Sequence, residues 1–145
     1  MKILSQRNTL WSMCKIGQTF LKLGRYGCTC TCLSMLSDWA GQWVTPAVIA
    51  SKNWFNKNGE IIWQKIDIPH LKFAKRVLGY EKDLVDWAIK SPTSACMLEV
   101  DGFHWVVPMK KVLGTYWIAD PWTGTKKLLW PTYKKITKFV IFNKV

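Results

Sequence analysis

The chain has 145 residues, of which 49% are hydrophobic and 14% aromatic, and its formal net charge is +12. This composition excludes a disordered chain, because the apolar residues suffice for a core without disulfide or metal support. No apolar run approaches the roughly 20 residues of a membrane span, and the N-terminus lacks the apolar stretch of a signal peptide. We therefore expect a single domain over residues 1–145 with no transmembrane segment. It would be cytoplasmic when synthesised, or would leave the cell without a signal peptide, for example in a virion.

The positive charge favours anionic partners such as a cell-wall polymer, nucleic acid or an acidic membrane. The lysines are scattered, as on an ordinary solvated surface, and no nucleic-acid-binding motif is present. The five cysteines, an odd number without an export signal, predict reduced thiols. A zinc site at Cys28, Cys30 and Cys32 would lack the usual ligand spacing. Zinc and nucleic-acid binding are therefore the weaker alternatives.

Three helices are predicted after an irregular stretch at residues 1–27. Apolar residues at helical spacing followed by Gly41 indicate the first helix. Thr45 before Pro46 is typical of the start of the second, which should end near Asn58-Gly59. The predicted helices span residues 28–40, 46–56 and 82–90.

The C-terminal half reads as strands. Apolar, β-rich runs flank Asp101-Gly102, a strong hairpin signal, and a turn is indicated at Gly114. The predicted strands span residues 95–100, 103–109, 115–119 and 136–142. Helices followed by an antiparallel sheet predict the α+β class.

Cys28 is predicted to begin the first helix, directly after Gly27. The positive end of the helix dipole favours a thiolate there, and the glycine would leave space for a substrate backbone. A buried structural cysteine is the competing interpretation, since cysteine is among the most frequently buried residues.

His104 and Asp120 are the candidate partners of Cys28. If residues 112–114 form a three-residue hairpin loop, Val106 lies opposite Asp120. His104 and Asp120 then share one face as diagonal neighbours about 7–8 Å apart, within reach of a hydrogen bond. A two-residue loop would place them on opposite faces. With Cys28 they would form a nucleophile–base–acid triad, and the Gln6 side-chain amide is a candidate oxyanion donor.

Ordered blocks along nearly the whole chain resemble the C39-like family of cysteine peptidases. The blocks are Ser5-Gln6-Arg7-Asn8, Tyr26-Gly27-Cys28, Gly102-Phe103-His104-Trp105 and Ala119-Asp120-Pro121-Trp122. The resemblance implies a papain-like fold, no metal or other cofactor, and Gln6, Cys28, His104 and Asp120 as oxyanion donor, nucleophile, base and orienting acid. The family usually has glycine directly before the histidine; Phe103 stands there, and we expect it to shift the ring or to narrow the cleft.

The expected function is hydrolysis of a peptide or peptidoglycan amide bond. The alternative is a catalytically idle module of the same fold that assembles into a larger complex, such as a virion or a secretion system.

Overall fold

The computed structural model describes all 145 residues and shows an α+β architecture with a six-stranded antiparallel sheet. The strand order is β1-β6-β2-β3-β4-β5. The helices are α1 Leu23–Tyr26, α2 Cys28–Trp39, α3 Pro46–Ala50, α4 Lys82–Lys90 and α5 Leu129–Thr132, and a 3₁₀ turn covers Trp63–Lys65. The strands are β1 Leu71–Leu78, β2 Ser94–Val100, β3 His104–Val112, β4 Thr115–Asp120, β5 Thr125–Leu128 and β6 Ile136–Lys144.

Both faces of the sheet are covered, because neighbouring strand residues enter different hydrophobic clusters. Met97 joins the cluster that contains the apolar side of α2, whereas Leu98 joins the one that contains Val85 and Ala88 of α4. Alternate residues of a strand point to opposite faces, so α2 and α4 lie on opposite sides of the sheet. None of the helices is long and apolar enough to cross a membrane.

The predictions for α2 and α4 are confirmed, whereas the predicted second helix is too long. The Thr45 hydroxyl caps α3 as expected, but α3 ends at Ala50. Asn58-Gly59 instead belongs to a turn, in which Asn56 Oδ1 accepts the backbone N–H groups of Asn58 and Glu60 at 2.9 and 3.0 Å. This side-chain hydrogen bonding competes with helix formation, and the chain turns back there.

The four predicted strands are present, and the structure adds β1 and β5 at the two edges of the sheet. Both edge strands are rich in exposed cations, including Lys72, Lys75 and Arg76 in β1 and Lys126 in β5. A register shift after Phe73 also interrupts the alternation of β1. Charged residues and bulges are typical of edge strands and weaken the sequence pattern that identifies a strand.

The turn predicted at Gly114 is present, but the three-residue loop expected at residues 112–114 is wrong. The loop contains two residues, Leu113 and Gly114, both with positive φ (47° and 81°), and Val112 pairs with Thr115. Two positive φ angles are the signature of the tight turn that matches the twist of the flanking strands.

A bulge further along the same strand pair restores the predicted register. The pairing shifts between Pro108 and Lys110, so that Val107 lies opposite Ala119, which is the register in which Val106 and Asp120 face each other. Pro108 has no N–H to donate to the ladder, and proline in a sheet is found at such irregularities. His104 and Asp120 therefore share a face despite the two-residue loop.

Candidate active site

Cys28 is the first residue of α2 and lies at the end of the sheet where β3 begins and β4 ends. Gly27 separates α1 from α2, and a Cβ there would lie 2.5 Å from the Leu23 carbonyl oxygen. The space left by the missing side chain is thus filled by the preceding turn, not by a substrate as predicted. Glycine is needed here because the two helices meet without a connecting loop.

The His104 imidazole lies between Asp120 and Cys28. Its Nε2 is 2.8 Å from Asp120 Oδ1, and the ring lines the same cleft as Cys28, whose side chain is close enough to affect the pKa of the ring. Since Nε2 is engaged by the carboxylate, Nδ1 is the nitrogen left for the thiol. Three residues that are distant in the sequence therefore lie next to one another, with the ring in the middle.

Asp120 is fully buried, and both of its oxygens accept hydrogen bonds. Oδ1 also accepts the Trp122 backbone N–H at 2.9 Å, and Oδ2 accepts the Tyr133 hydroxyl and the Lys127 ammonium, the latter at 3.2 Å. Burial alone would raise the pKa of this carboxyl. The hydrogen bonds from His104, Tyr133 and Trp122 outweigh burial and hold the pKa below its usual range. The carboxylate is thus charged and fixed in orientation.

The same contacts favour the protonated form of His104. Burial alone would lower the pKa of the ring, but the hydrogen bond to Asp120 and the interaction with the Cys28 side chain raise the pKa to about 9. At neutral pH the ring therefore carries a proton beside the thiol.

Gln6 is brought to the same place by backbone contacts of the N-terminal segment. Its N–H donates to the Pro121 carbonyl at 2.8 Å, and a Cβ on Gly124 would lie 2.8 Å from the Cβ of Ser5. The buried Gln6 amide donates a long hydrogen bond of 3.4 Å from Nε2 to the Gly24 carbonyl, and its Oε1 has no partner. Because an amide nitrogen carries two hydrogens, one remains for another acceptor.

These residues meet at a cleft with two arms that share Tyr26, Cys28 and Phe103. We call the first the aromatic arm; it has a volume of about 630 Å³ and is lined further by Gln6, Arg25, His104, Trp122 and Tyr133. The second, the polar arm, has a volume of about 390 Å³, and its charged lining residues are Glu60, Arg76, Glu99 and Lys138. Cys28 lies where the two arms join.

Phe103 has not displaced the catalytic candidate next to it, since the His104 ring reaches Asp120 at 2.8 Å. The Phe103 side chain is 74% exposed and lines both arms of the cleft. Phe103, in the place where the C39-like family usually has glycine, therefore affects the walls of the cleft and leaves the His104–Asp120 contact intact.

The other cysteines differ from Cys28 in their surroundings. Cys30, Cys32 and Cys96 are buried, and burial raises the pKa of each thiol well above its usual value. Cys14 is partly exposed but lies outside the lining of both arms. No group of three His, Cys, Asp or Glu side chains that could hold a metal ion occurs.

Sequence reasoning missed Tyr133 and Lys127, which hold the second oxygen of Asp120. They lie 13 and 7 residues beyond Asp120, in segments without a recognisable motif. Tyr133 also packs against the His104 ring, with the ring centroids 5.6 Å apart. Only the folded arrangement of β4, β5 and α5 brings these groups together.

Scans against protein-family models and against curated proteins give no match to this chain. The functional assignment therefore depends on the geometry of the cleft.

Proposed function

We propose that this chain is a cysteine peptidase or amidase of papain-like fold that hydrolyses a peptide or peptidoglycan amide bond. The observation that supports this most is the position of His104, which is hydrogen-bonded to the buried Asp120 carboxylate and lines an open cleft together with Cys28. A nucleophile, a proton carrier and an orienting acid in series is the arrangement that covalent acyl transfer requires.

In the proposed acylation step the proton of Cys28 already resides on His104, so the sulfur attacks the amide carbon as a thiolate and the carbonyl oxygen becomes an oxyanion. The Cys28 backbone N–H makes no backbone hydrogen bond, as expected in the first turn of a helix, and is one donor for that oxygen. The free hydrogen of Gln6 Nε2 is the second. Donors fixed in advance around an oxyanion supply much of the rate enhancement in such reactions.

The proton on His104 then moves to the leaving amine as the carbon–nitrogen bond breaks, which leaves a thioester on Cys28. Its pKa of about 9 means that this proton is present at neutral pH. The neutral ring next takes a proton from water, whose oxygen attacks the thioester. The carbon–sulfur bond then breaks, which releases the acid product and restores the thiolate beside the protonated ring. Asp120 keeps the ring oriented throughout and stabilises its charged form.

Substrate class is proposed from the same features. The cleft extends to both sides of Cys28, which suits a substrate with an extended chain. The net charge of +12 suits an anionic polymer such as peptidoglycan with its attached polymers. An assay should therefore include purified peptidoglycan and a mixed peptide library, with release of new amines as the readout. Cys28→Ala, which removes the nucleophile, should release none.

Selective alkylation tests the site without knowledge of the substrate. Limiting iodoacetamide near pH 6 should modify Cys28 before the other four thiols, because it is partly exposed at a helix start and touches a protonated ring. His104→Ala should slow that reaction, and peptide mapping by mass spectrometry gives both results. Equal modification of Cys14 and Cys28, or no effect of His104→Ala, would overturn the proposal and favour an idle module.

A further inference from the structure

The two arms of the cleft differ in charge. No carboxylate lines the aromatic arm, whereas Arg25 and the protonated His104 do. The Asp120 carboxylate behind the ring is fully buried, and both of its oxygens already accept hydrogen bonds. Any negative charge on the Cys28 sulfur is offset by the protonated His104 ring, so the unpaired charge that a substrate group meets in the aromatic arm is the positive charge of Arg25.

Arg25 is the free charge in this arm. Its side chain makes no ion pair, and its guanidinium lies 5.5 Å from the centroid of the Tyr26 ring, at the rim of the cleft. Arg7 also adjoins this arm, but its Nε donates to the Trp122 carbonyl at 2.8 Å and its guanidinium covers the Trp122 ring. Arg7 thus supports the wall, while the donors of Arg25 remain available for a ligand.

In the polar arm, by contrast, the positive and negative charges of the lining residues balance. Glu99 Oε2 lies 3.4 Å from Lys138 Nζ, and Glu99 Oε1 accepts the Thr137 hydroxyl. Glu60 and Arg76 add one charge of each sign. This arm therefore gives no net preference for an anionic or a cationic group.

We propose that the aromatic arm selects substrates that carry a carboxylate close to the scissile amide, and that Arg25 binds this carboxylate. A planar guanidinium matches a carboxylate with two parallel hydrogen bonds, and the aromatic walls exclude water around the pair. The carboxylate belongs to an acidic side chain or to a free chain end of the peptide. This inference rests on the proposed function, because the selected substrate is the one that Cys28 attacks.

Two alkylating reagents of nearly equal size test the proposal directly. In both iodoacetate and iodoacetamide the methylene carbon forms a bond to the Cys28 sulfur and iodide leaves. The two reagents differ only in that one carries a carboxylate group and the other an amide group. The ratio of their rates at Cys28, followed by peptide mapping at low ionic strength, measures the attraction of a carboxylate to the site. Arg25→Gln should lower this ratio about three- to tenfold, as expected for loss of one charge at short range near a protein surface.

Arg76→Gln is the matched control, since it removes the same charge from the polar arm and should change the ratio by less than twofold. Arg25→Lys keeps the charge and should keep most of the preference. An unchanged ratio in Arg25→Gln, or equal losses in Arg25→Gln and Arg76→Gln, would overturn the proposal while leaving Cys28 a selectively reactive thiol. Failure of both reagents to select Cys28 in the unaltered protein would instead overturn the proposed function and this inference with it.

Discussion

Two aspartates of this molecule are held by the same kinds of partner, yet only one lies at a site that fits catalysis. Asp120 accepts a tyrosine hydroxyl and a lysine ammonium, and so does Asp86 of α4, from Tyr116 at 2.6 Å and from Lys111 at 2.6 Å. The pKa of Asp86 is lowered to about 2, because these hydrogen bonds outweigh its partial burial. Both carboxylates are thus charged and firmly held.

The difference lies in what stands on the far side of each carboxylate. Next to Asp120 is an imidazole that touches a thiol at an open cleft, whereas Tyr116 beside Asp86 leads only to the Tyr80 hydroxyl. A perturbed carboxyl pKa therefore marks a structural ion-pair network as readily as an active site. The discriminating feature is a titratable ring between the carboxylate and a partly exposed thiol.

Removal of the charge at each aspartate is the strongest test of this comparison. Asp120→Asn should lower turnover by about 10³- to 10⁴-fold, because the ring loses its anionic partner and its orientation. Asp86→Asn should leave turnover unchanged and lower the stability by about 1–2 kcal/mol through weakened hydrogen bonds. Steady-state hydrolysis and thermal unfolding of both variants give the measurement.

Asp120→Asn should also unfold at a lower temperature, since Lys127 would face an uncharged, buried amide. Circular dichroism at the assay temperature separates that loss of stability from loss of chemistry. Similar turnover in the two folded variants would show that Asp120 is only a second structural carboxylate.

Substitution of Gln6 tests whether the cleft beside Cys28 and His104 stabilises an oxyanion. Gln6→Ala should reduce turnover by about a hundredfold, the effect of removing one oxyanion donor. Alkylation of Cys28 by iodoacetamide involves no oxyanion, so its rate should change little. Parallel losses in both reactions would mean that Gln6 supports the local fold and does not contact the substrate.

The proton on His104 gives a pH-dependent contrast between the two networks. Because its pKa is raised from 6.5 to about 9 in the folded chain, protonation stabilises the fold fully below about pH 6.5, and this stabilisation is lost as the pH rises to about 9. Turnover should fall about tenfold per pH unit above 9, as the proton for the leaving amine is lost.

Asp120→Asn should move this titration to lower pH, whereas Asp86→Asn should not. The chain contains two histidines, so the ring signals of His104 and His70 can be followed separately by proton NMR. A His104 titration that stays near pH 9 without the Asp120 charge would contradict the assigned cause of the shift.

The smallest expected effects concern the two tyrosines. Tyr133→Phe removes one donor to Asp120 but leaves Lys127, so turnover should fall less than tenfold. Tyr116→Phe makes the same change at Asp86 and should lower stability by about 1 kcal/mol with no change in turnover. Unaltered kinetics in the Tyr133→Phe variant would show that Tyr133 contributes only packing.

The sequence predicted those parts of the fold that local patterns determine. The apolar spacing of α2, with Gly41 after it, and the Asp101-Gly102 hairpin are short-range signals that the structure confirms. Gln6, Cys28 and His104 line one cleft with Asp120 directly behind it, so the residues chosen from their local context are also close in space.

Long-range features were missed because no local pattern encodes them. Lys127 reaches Asp120 only because β5 pairs with β4. Tyr133 reaches it only because the chain after β5 returns to the end of β4. The bulge near Pro108 was likewise unforeseen, and two errors compensated: the loop is one residue shorter than predicted, and the bulge restores the offset. The predicted His104–Asp120 contact was therefore right for a reason that the sequence analysis did not contain.

The bulge also separates the tip of the β3–β4 hairpin from its base. The pairs beyond Lys110 follow one register and those before Pro108 another, so the bulge can absorb a change in loop length before it reaches His104. Leu113 at the tip is fully exposed. This position is thus a suitable insertion point for a peptide tag or a fluorescent label, which would report on the protein while the cleft at the opposite end of the hairpin stays intact.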